Sequence, residues 1–500
     1  MKNILEFLEK NAAALPDKTA FAEEGASVTW GALGEKTRRI GSALAALAQK
    51  NRPIAIYFDK RIETVAAMFG IVYSGNFYVV VDSEMPVERI EKIFTTLQPA
   101  AVVTDEKHLE NARKLGVDRL FLIEELSAAP IDEARLAAIR AAQIDTDPLY
   151  ALYTSGSTGM PKGAIINHRN VIAYSKWSSE TFRFTRDTVF GNQTPFYFSM
   201  SVTDIYSTLR TGATLVIIPK QYFTFPIRLI EFLNTHQVNT IYWVPSAMSI
   251  VANFKLFDTI KPTYLRTVLF AGEVMPTKQL NYWINHLGDD LVYANLFGPT
   301  ETTDICTYYV VDRKFADDEP LPIGRHCNNC DVFIVNERGE EAQPGEEGEL
   351  YARGSFLSAG YYNNPEKTAA AFVQNPLNTA YPETVYKTGD LVKEAENGEI
   401  LYICRKDYQI KHLGYRIELG EIEAAASAIE NMQECACVYD EKNDKLVLFY
   451  SARRLKEEKI FEVLATKLTD YLMPNRLVKV NPMPHNQNGK IDRKQLAAML

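Results

Sequence analysis

From about residue 50 to 125, short apolar runs alternate with stretches of helical period. IAIYF (54–58) precedes KRIETVAAMFGIVYSG, then YVVV (78–81), VERIEKIFTTL and AAVVT (100–104). The alternation resumes with ATLVIIP (213–219), a helical stretch near 227–236, NTIYWV (239–244), another near 246–254, and TVLFAG (267–272). Strands alternating with helices predict an α/β fold with parallel sheets covered by helices. After about residue 320 the pattern changes. VFIVNERGEEAQPGEEGELYARG reads as strands joined by turn-rich hairpins, a β-rich subdomain. LGEIEAAASAIEN (419–431) then reads as a helix, followed by two strands around an Asn443-Asp444 turn and a charged helix at 455–470. This last unit is a small α+β domain. The expected boundary lies near Arg405–Asp407, giving a large domain 1–405 and a small one 406–500.

Composition adds limits. The chain has 500 residues, 46% hydrophobic and 23% charged, which excludes disordered, collagen-like and disulfide-scaffold chains. That length calls for at least two domains. The net charge of −9 argues against a nucleic-acid surface. Residues 407–500 hold 14 basic and 14 acidic residues, so the excess acid lies elsewhere. The first residues form an amphipathic pattern interrupted by Glu6, Glu9 and Lys10, not a secretory signal. No run reaches the roughly 20 apolar residues that span a bilayer. A cytoplasmic monomer is expected. Of six cysteines, Cys327 and Cys330 form a CxxC, two ligands short of a zinc site even with His326 beside it. They read as ordinary reduced thiols.

The densest chemistry lies in LYALYTSGSTGMPKGAIINHRNV (149–171). An apolar strand leads into Thr154, Ser155, Gly156, Ser157, Thr158 and Gly159, then Pro161-Lys162-Gly163 and a second strand. Glycines admit an anion close to the backbone, hydroxyls and amides donate, and one lysine supplies charge. This is a phosphate cradle without P-loop spacing, because Met160-Pro161 precedes Lys162 and no Ser or Thr follows it.

TSGSTGMPKG resembles the nucleotide loop of the adenylate-forming superfamily, which includes acyl-CoA synthetases, luciferases and amino-acid adenylation domains. NLFGPTETT (295–303), YKTGDL (386–391), RKDYQIKHLGYRIELGEIE (405–423) and NGKIDRKQL (488–496) match its other motifs in order, so the resemblance covers nearly the whole chain. It implies ATP and Mg²⁺ as cofactors. Glu301 matches the Mg²⁺ ligand, and a hard oxygen suits that ion. Thr302, Thr300 and Gly298 share its turn. Asn295 and Phe297 match positions flanking the adenine, and Asp390 and Arg405 match ribose contacts. Lys490 matches the lysine that bridges the substrate carboxylate and the α-phosphate, and Asp407 the hinge of a rotating C-terminal lid. The implied reaction joins an acid to AMP with loss of pyrophosphate, then passes the acyl group to a pantetheine thiol. His168 reads equally as structural or pocket-lining.

The acid is less legible. In amino-acid adenylation domains an Asp pairs with the substrate's α-amino group, and the matching residue here is Ser199, which cannot balance a buried ammonium. The other matching pocket positions are Met200, Thr203, Ser246, Leu269, Ala271, Leu296, Asp304 and Ile305. One reading has Asp304 replace the missing carboxylate for an amino group placed elsewhere, as in a β-amino acid. Another makes Asp304 a turn cap or solvent-facing group. A third is a hydroxy, aryl or fatty acid with no amino group. Asp204 is also a candidate, one residue off the helical face shared by Ser199 and Thr203. The local text is most similar to free-standing D-alanine–carrier-protein ligases. Those keep the Asp at the Ser199 position and usually a Cys at Ala271, so both changes fall in the pocket. KIDRKQLAAML after the lysine loop carries no carrier domain, so the expected acceptor is a separate phosphopantetheine carrier protein. The alternatives are an acyl-CoA synthetase and a catalytically silent nucleotide-binding relative.

Overall fold

The computed structural model describes residues 1–155, 160–406, 409–452, 454–485 and 491–500. Two large sheets carry the first three hundred residues. One has six strands in the order Leu120–Leu122, Ala101–Thr104, Pro53–Tyr57, Phe77–Val80, Pro148–Thr154, Lys162–Asn167. Only its last pair is antiparallel. The other has nine strands, with Thr19–Glu23, Thr214–Ile217, Val189–Asn192, Thr240–Trp243, Thr267–Phe270 and Val292–Phe297 running parallel through its centre. The apolar runs become these strands because a parallel sheet covered on both faces must be apolar on both. All four residues of Phe77–Val80, Ala101–Thr104 and Thr267–Phe270 are buried.

The helices between them read as predicted. Val87–Leu97 buries Ile90, Ile93, Phe94 and Leu97, one stripe at helical spacing. The amphipathic start is helix Leu5–Ala14, which buries Leu5, Phe7 and Leu8. His168 fastens it: Asn3 Nδ2 lies 3.1 Å from His168 Nε2, and burial pushes this imidazole's pKa down to about 3. His168 is therefore structural and does not line the cavity described below.

Residues 330–405 form an antiparallel five-stranded sheet, with Thr384–Glu394 pairing with Glu347–Gly354, Phe372–Gln374 and Ile400–Arg405. Beyond it lie the hairpin Gln409–His412/Tyr415–Glu418, helix Leu419–Ser427, and a sheet of Met432–Asp440, Lys445–Ala452 and Arg476–Lys479. This C-terminal unit builds apolar clusters of its own, between Ile417 and Leu496, on both faces of that sheet. Five of the six cysteines are buried free thiols, Cys327 and Cys330 included, and Cys404 is exposed on strand Ile400–Arg405. Among the described residues, no helix is long and apolar enough to cross a membrane.

The C-terminal unit docks on the rest through a buried ion pair between Arg89 and Glu421, and through Phe198 set edge-on to Tyr415 at 4.7 Å. All four tryptophans, Trp30, Trp177, Trp243 and Trp283, lie in the large part. Leu448 is fully buried in the C-terminal sheet, and its replacement by Ala should cost about 2–5 kcal/mol. The Leu448→Ala variant is expected to lose far-UV circular dichroism at a lower denaturant concentration than wild type, with the tryptophan fluorescence transition unmoved. Coincident shifts of both signals would show one cooperative unit.

Candidate active site

The nucleotide-loop motif sits at the end of a hairpin. Strands Pro148–Thr154 and Lys162–Asn167 pair antiparallel, with Thr154 directly opposite Lys162. The register thus places the first hydroxyl and the only lysine of the motif together at the loop's mouth. Thr154 Oγ1 is buried without a partner among the described residues. Gly156, Ser157, Thr158 and Gly159 lie outside the described residues, as do Asp407 and Lys490.

Glu301 is fully buried in the turn Thr300–Thr302 that follows strand Val292–Phe297. Three other parts of the chain meet on its carboxylate. Lys162 Nζ lies at 3.3 Å, the Tyr361 hydroxyl donates at 2.5 Å, and Arg416 Nη1, from the C-terminal hairpin, donates at 2.7 Å. Burial alone would raise this carboxyl, but Arg416 and Lys162 outweigh it and hold it well below the usual carboxylate range. The same burial lowers the Lys162 amine, with Glu301 opposing. Ser155 Oγ donates to the Arg416 carbonyl at 2.5 Å, so the hairpin is tied to the nucleotide loop as well. Gly414, at its tip, donates to Glu273 Oε1 at 2.7 Å. A Cβ on Gly414 would meet Val244 Cγ1 at 2.4 Å, and its φ of +79° is one that side chains avoid. Only glycine lets the hairpin come this close.

A continuous cavity runs past these groups. Its nucleotide-loop side is lined by Thr154, Ser155, Gly298, Thr300, Asp390 and Arg405. Asp390 and Arg405 face each other across paired strands, with Arg405 Nη1 3.2 Å from Asp390 Oδ1. Lys411 Nζ lies 4.6 Å over the Phe297 ring, and Asn295 Nδ2 donates to the Pro322 carbonyl.

The cavity's other end is lined by Ser199, Met200, Ala271, Asp304 and Ile305. Gly298 lets the chain fold back to deliver Asp304 there, since a Cβ on it would meet the Asp304 carbonyl at 2.5 Å. Thr303, at φ 71°, makes the turn and is held by its hydroxyl on the Phe356 carbonyl at 2.7 Å. That conformation costs a β-branched residue roughly 1–3 kcal/mol. Asp304 is 1% exposed, and its Oδ2 accepts from the hydroxyls of Tyr174 (3.0 Å), Thr203 (3.0 Å) and Tyr242 (3.2 Å). Burial pushes its carboxyl up to about 6 despite these bonds and one from Ser199. The turn-cap and solvent-facing reading of Asp304 is therefore wrong.

Several expected positions fall elsewhere. Ser246, Leu269 and Leu296 do not line this cavity. The Ser246 amide donates to Glu273, and Leu269 and Leu296 pack in the apolar core. Thr203 reaches Asp304 rather than the cavity wall, and Thr302 turns its hydroxyl back to the Pro299 carbonyl at 2.9 Å. Asp204 bonds Asn192 at 2.8 Å, and burial pushes its carboxyl up to about 8. Sequence reasoning missed Tyr174, Tyr242, Tyr361 and Lys411. The tyrosines sit in buried apolar surroundings where nothing in the pattern separates them from core residues. Arg416 stood inside a quoted motif without a role.

A family model described as AMP-binding enzyme matches residues 8–362. Over 99% of both chains, the protein is 30% identical to a D-alanine–D-alanyl carrier protein ligase of Lacticaseibacillus casei and 32% identical to an L-proline–[L-prolyl-carrier protein] ligase of Pseudomonas fluorescens. It is 29% identical to zwittermicin A synthase ZmaJ of Bacillus cereus, over 99% of this chain and 95% of that one. Its fold matches the Vibrio cholerae adenylation domain AlmE in complex with glycyl-adenosine-5'-phosphate, with TM-score 0.85 and 22% identity over 100% and 98% of the two chains. Fold and site define an ATP-dependent ligase. The chain belongs to the AMP-binding enzyme family.

Replacing Arg416 by Gln removes the cation that the C-terminal unit contributes to Glu301. The variant should show a larger radius of gyration in solution scattering, because breaking a buried pair costs about 3–5 kcal/mol. An unchanged profile would mean that the Arg89–Glu421 contact holds the two parts together unaided.

Proposed function

We propose that this protein activates a small carboxylic acid with ATP and transfers it to the thiol of a separate phosphopantetheine carrier protein. The cavity carries this reading. It connects phosphate-loop hydroxyls and the Asp390–Arg405 pair to an end lined by Ser199, Met200, Ala271 and Asp304, with the C-terminal hairpin forming part of the wall. The free-standing carrier-protein ligases of matching length support a carrier acting in trans.

The residues present fit ATP. Thr154 offers an unused buried hydroxyl, Lys162 a cation beside the loop, and Asp390 with Arg405 a polar pair for ribose hydroxyls. Phe297 and Asn295 would flank the adenine. Among the described residues no group of three metal-ligating side chains gathers, which suits Mg²⁺, an ion that keeps its waters and phosphate oxygens and takes one or two carboxylates. Glu301 would be that carboxylate once Arg416 withdraws, and the ion would neutralise phosphate charge.

In the first step the acid's carboxylate oxygen bonds to the α-phosphorus and pyrophosphate leaves. Lys490 would bridge the two anions as charge develops between them. In the second, the thiol sulfur bonds to the acyl carbon, the carbon–oxygen bond to AMP breaks, and the thiol proton passes to solvent. The arrangement described here suits the second step. Arg416 occupies Glu301, while His485 pairs with Glu434 and Arg493 with Glu423. A turn about Asp407 would exchange Arg416 for Lys490. Supply of ATP and carrier protein fits a cytoplasmic enzyme.

ATP–pyrophosphate exchange across amino, hydroxy and aryl acids tests the first step. Lys490→Ala should lose exchange at least a hundredfold yet still transfer a supplied acyl-adenylate. Equal loss of both halves would remove its assigned role. Offering holo-carrier protein and free CoA side by side tests the acceptor, and preference for CoA would make the protein an acyl-CoA synthetase.

A further inference from the structure

Asp304 and Glu301 are three residues apart, both fully buried, and electrostatically opposite. Glu301 has two cations inside the protein. Among the described residues Asp304 has none: every group bonded to it is a neutral hydroxyl, from Tyr174, Thr203, Tyr242 and Ser199. Those hydroxyls cannot fully serve it. Tyr174 and Thr203 also bond each other at 2.7 Å, which consumes one of their two protons. The nearby carboxyl, Asp204, answers to Asn192 and to Lys60, does not line the cavity, and is pushed up to about 8 by burial. Among the described residues three aspartates line the cavity: Asp390 pairs with Arg405, Asp82 lies within the field of Lys220, and Asp304 meets neutral hydroxyls alone.

A buried carboxylate without a cation costs several kcal/mol. The protein keeps this one in place with three aromatic or β-branched hydroxyl residues, a strained Thr303 and a glycine at 298. It lines the same cavity as the nucleotide-side groups, so one small molecule can present its own carboxylate to that side and a cation to Asp304. We propose that Asp304 is the counter-ion for a protonated amine on the substrate. The acid activated is then an amino acid, held by residue 304 rather than residue 199, and not a hydroxy, aryl or fatty acid. This rests on the adenylation reading above.

The test is ATP–pyrophosphate exchange by the full-length enzyme with matched pairs that differ only in the amine. D- and L-alanine are set against D- and L-lactate, 3-aminobutyrate against 3-hydroxybutyrate, and β-alanine against 3-hydroxypropionate. Wild type should use at least one amine over its hydroxyl partner by about a hundredfold or more in kcat/KM. Asp304→Asn should abolish that ratio while ATP binding by calorimetry stays unchanged, and Asp304→Glu should retain part of it. The amine's kcat/KM should also rise with pH through about 6 as Asp304 ionises. The other titratable groups around it, Tyr150, Tyr174, Tyr242, Asp204 and Cys327, are all pushed upward, out of that window. Tyr242→Phe removes one stabilising hydrogen bond and should move the limb to higher pH, which keeps the test independent of how the Asn variant folds. Exchange with the hydroxy acids alone, or an amine preference that survives Asp304→Asn, overturns the proposal. Exchange with no acid at all overturns the adenylation reading and this inference with it.

Discussion

One carboxylate gathers the molecule. Glu301 comes from the end of a strand in the nine-stranded sheet, Lys162 from the edge of the six-stranded sheet, Tyr361 from a segment bridged to that edge at Ala164, and Arg416 from the C-terminal unit. They come from three parts of the fold, since Tyr361 is bridged to the strand that carries Lys162. A buried charge without partners costs several kcal/mol, so each element must arrive for the others to be worth burying. Replacement by an apolar cluster could supply comparable stability, but it would not bring a cation of the C-terminal hairpin onto an anion of the nine-stranded sheet's turn.

The segment Glu301-Thr302-Thr303-Asp304 then divides the work within a single turn. Its first residue faces Lys162 and its last lines the cavity. The positive φ of Thr303 reverses the chain between them, and Gly298 leaves room for the return. The two buried carboxylates are therefore set three residues apart. A shift of this turn would disturb both.

Most of the architecture was legible because strand runs and helical stripes carry strong periodicity. The expected runs at 54–58, 78–81, 100–104, 213–219, 239–244 and 267–272 each contain an observed strand within a residue or two. Local spacing also carried the phosphate hairpin, whose two ends pair in register. The hydroxyl cage was not legible. Tyr174, Thr203 and Tyr242 come from two helices and a strand, and only their packing shows that three ordinary buried residues converge on one oxygen. Ser246, Leu269 and Leu296 lie off the cavity lining for the converse reason. A position matched by alignment says which element a residue occupies, not how far its side chain reaches toward the cavity.

The distribution of thiols has a practical side. Five are enclosed in apolar surroundings, while Cys404 stands exposed at the end of the last strand before the C-terminal unit. A maleimide dye would therefore attach to the native sequence at a single place, beside the junction between the two units. Its emission would report on the surroundings of that junction, with no cysteine added or removed.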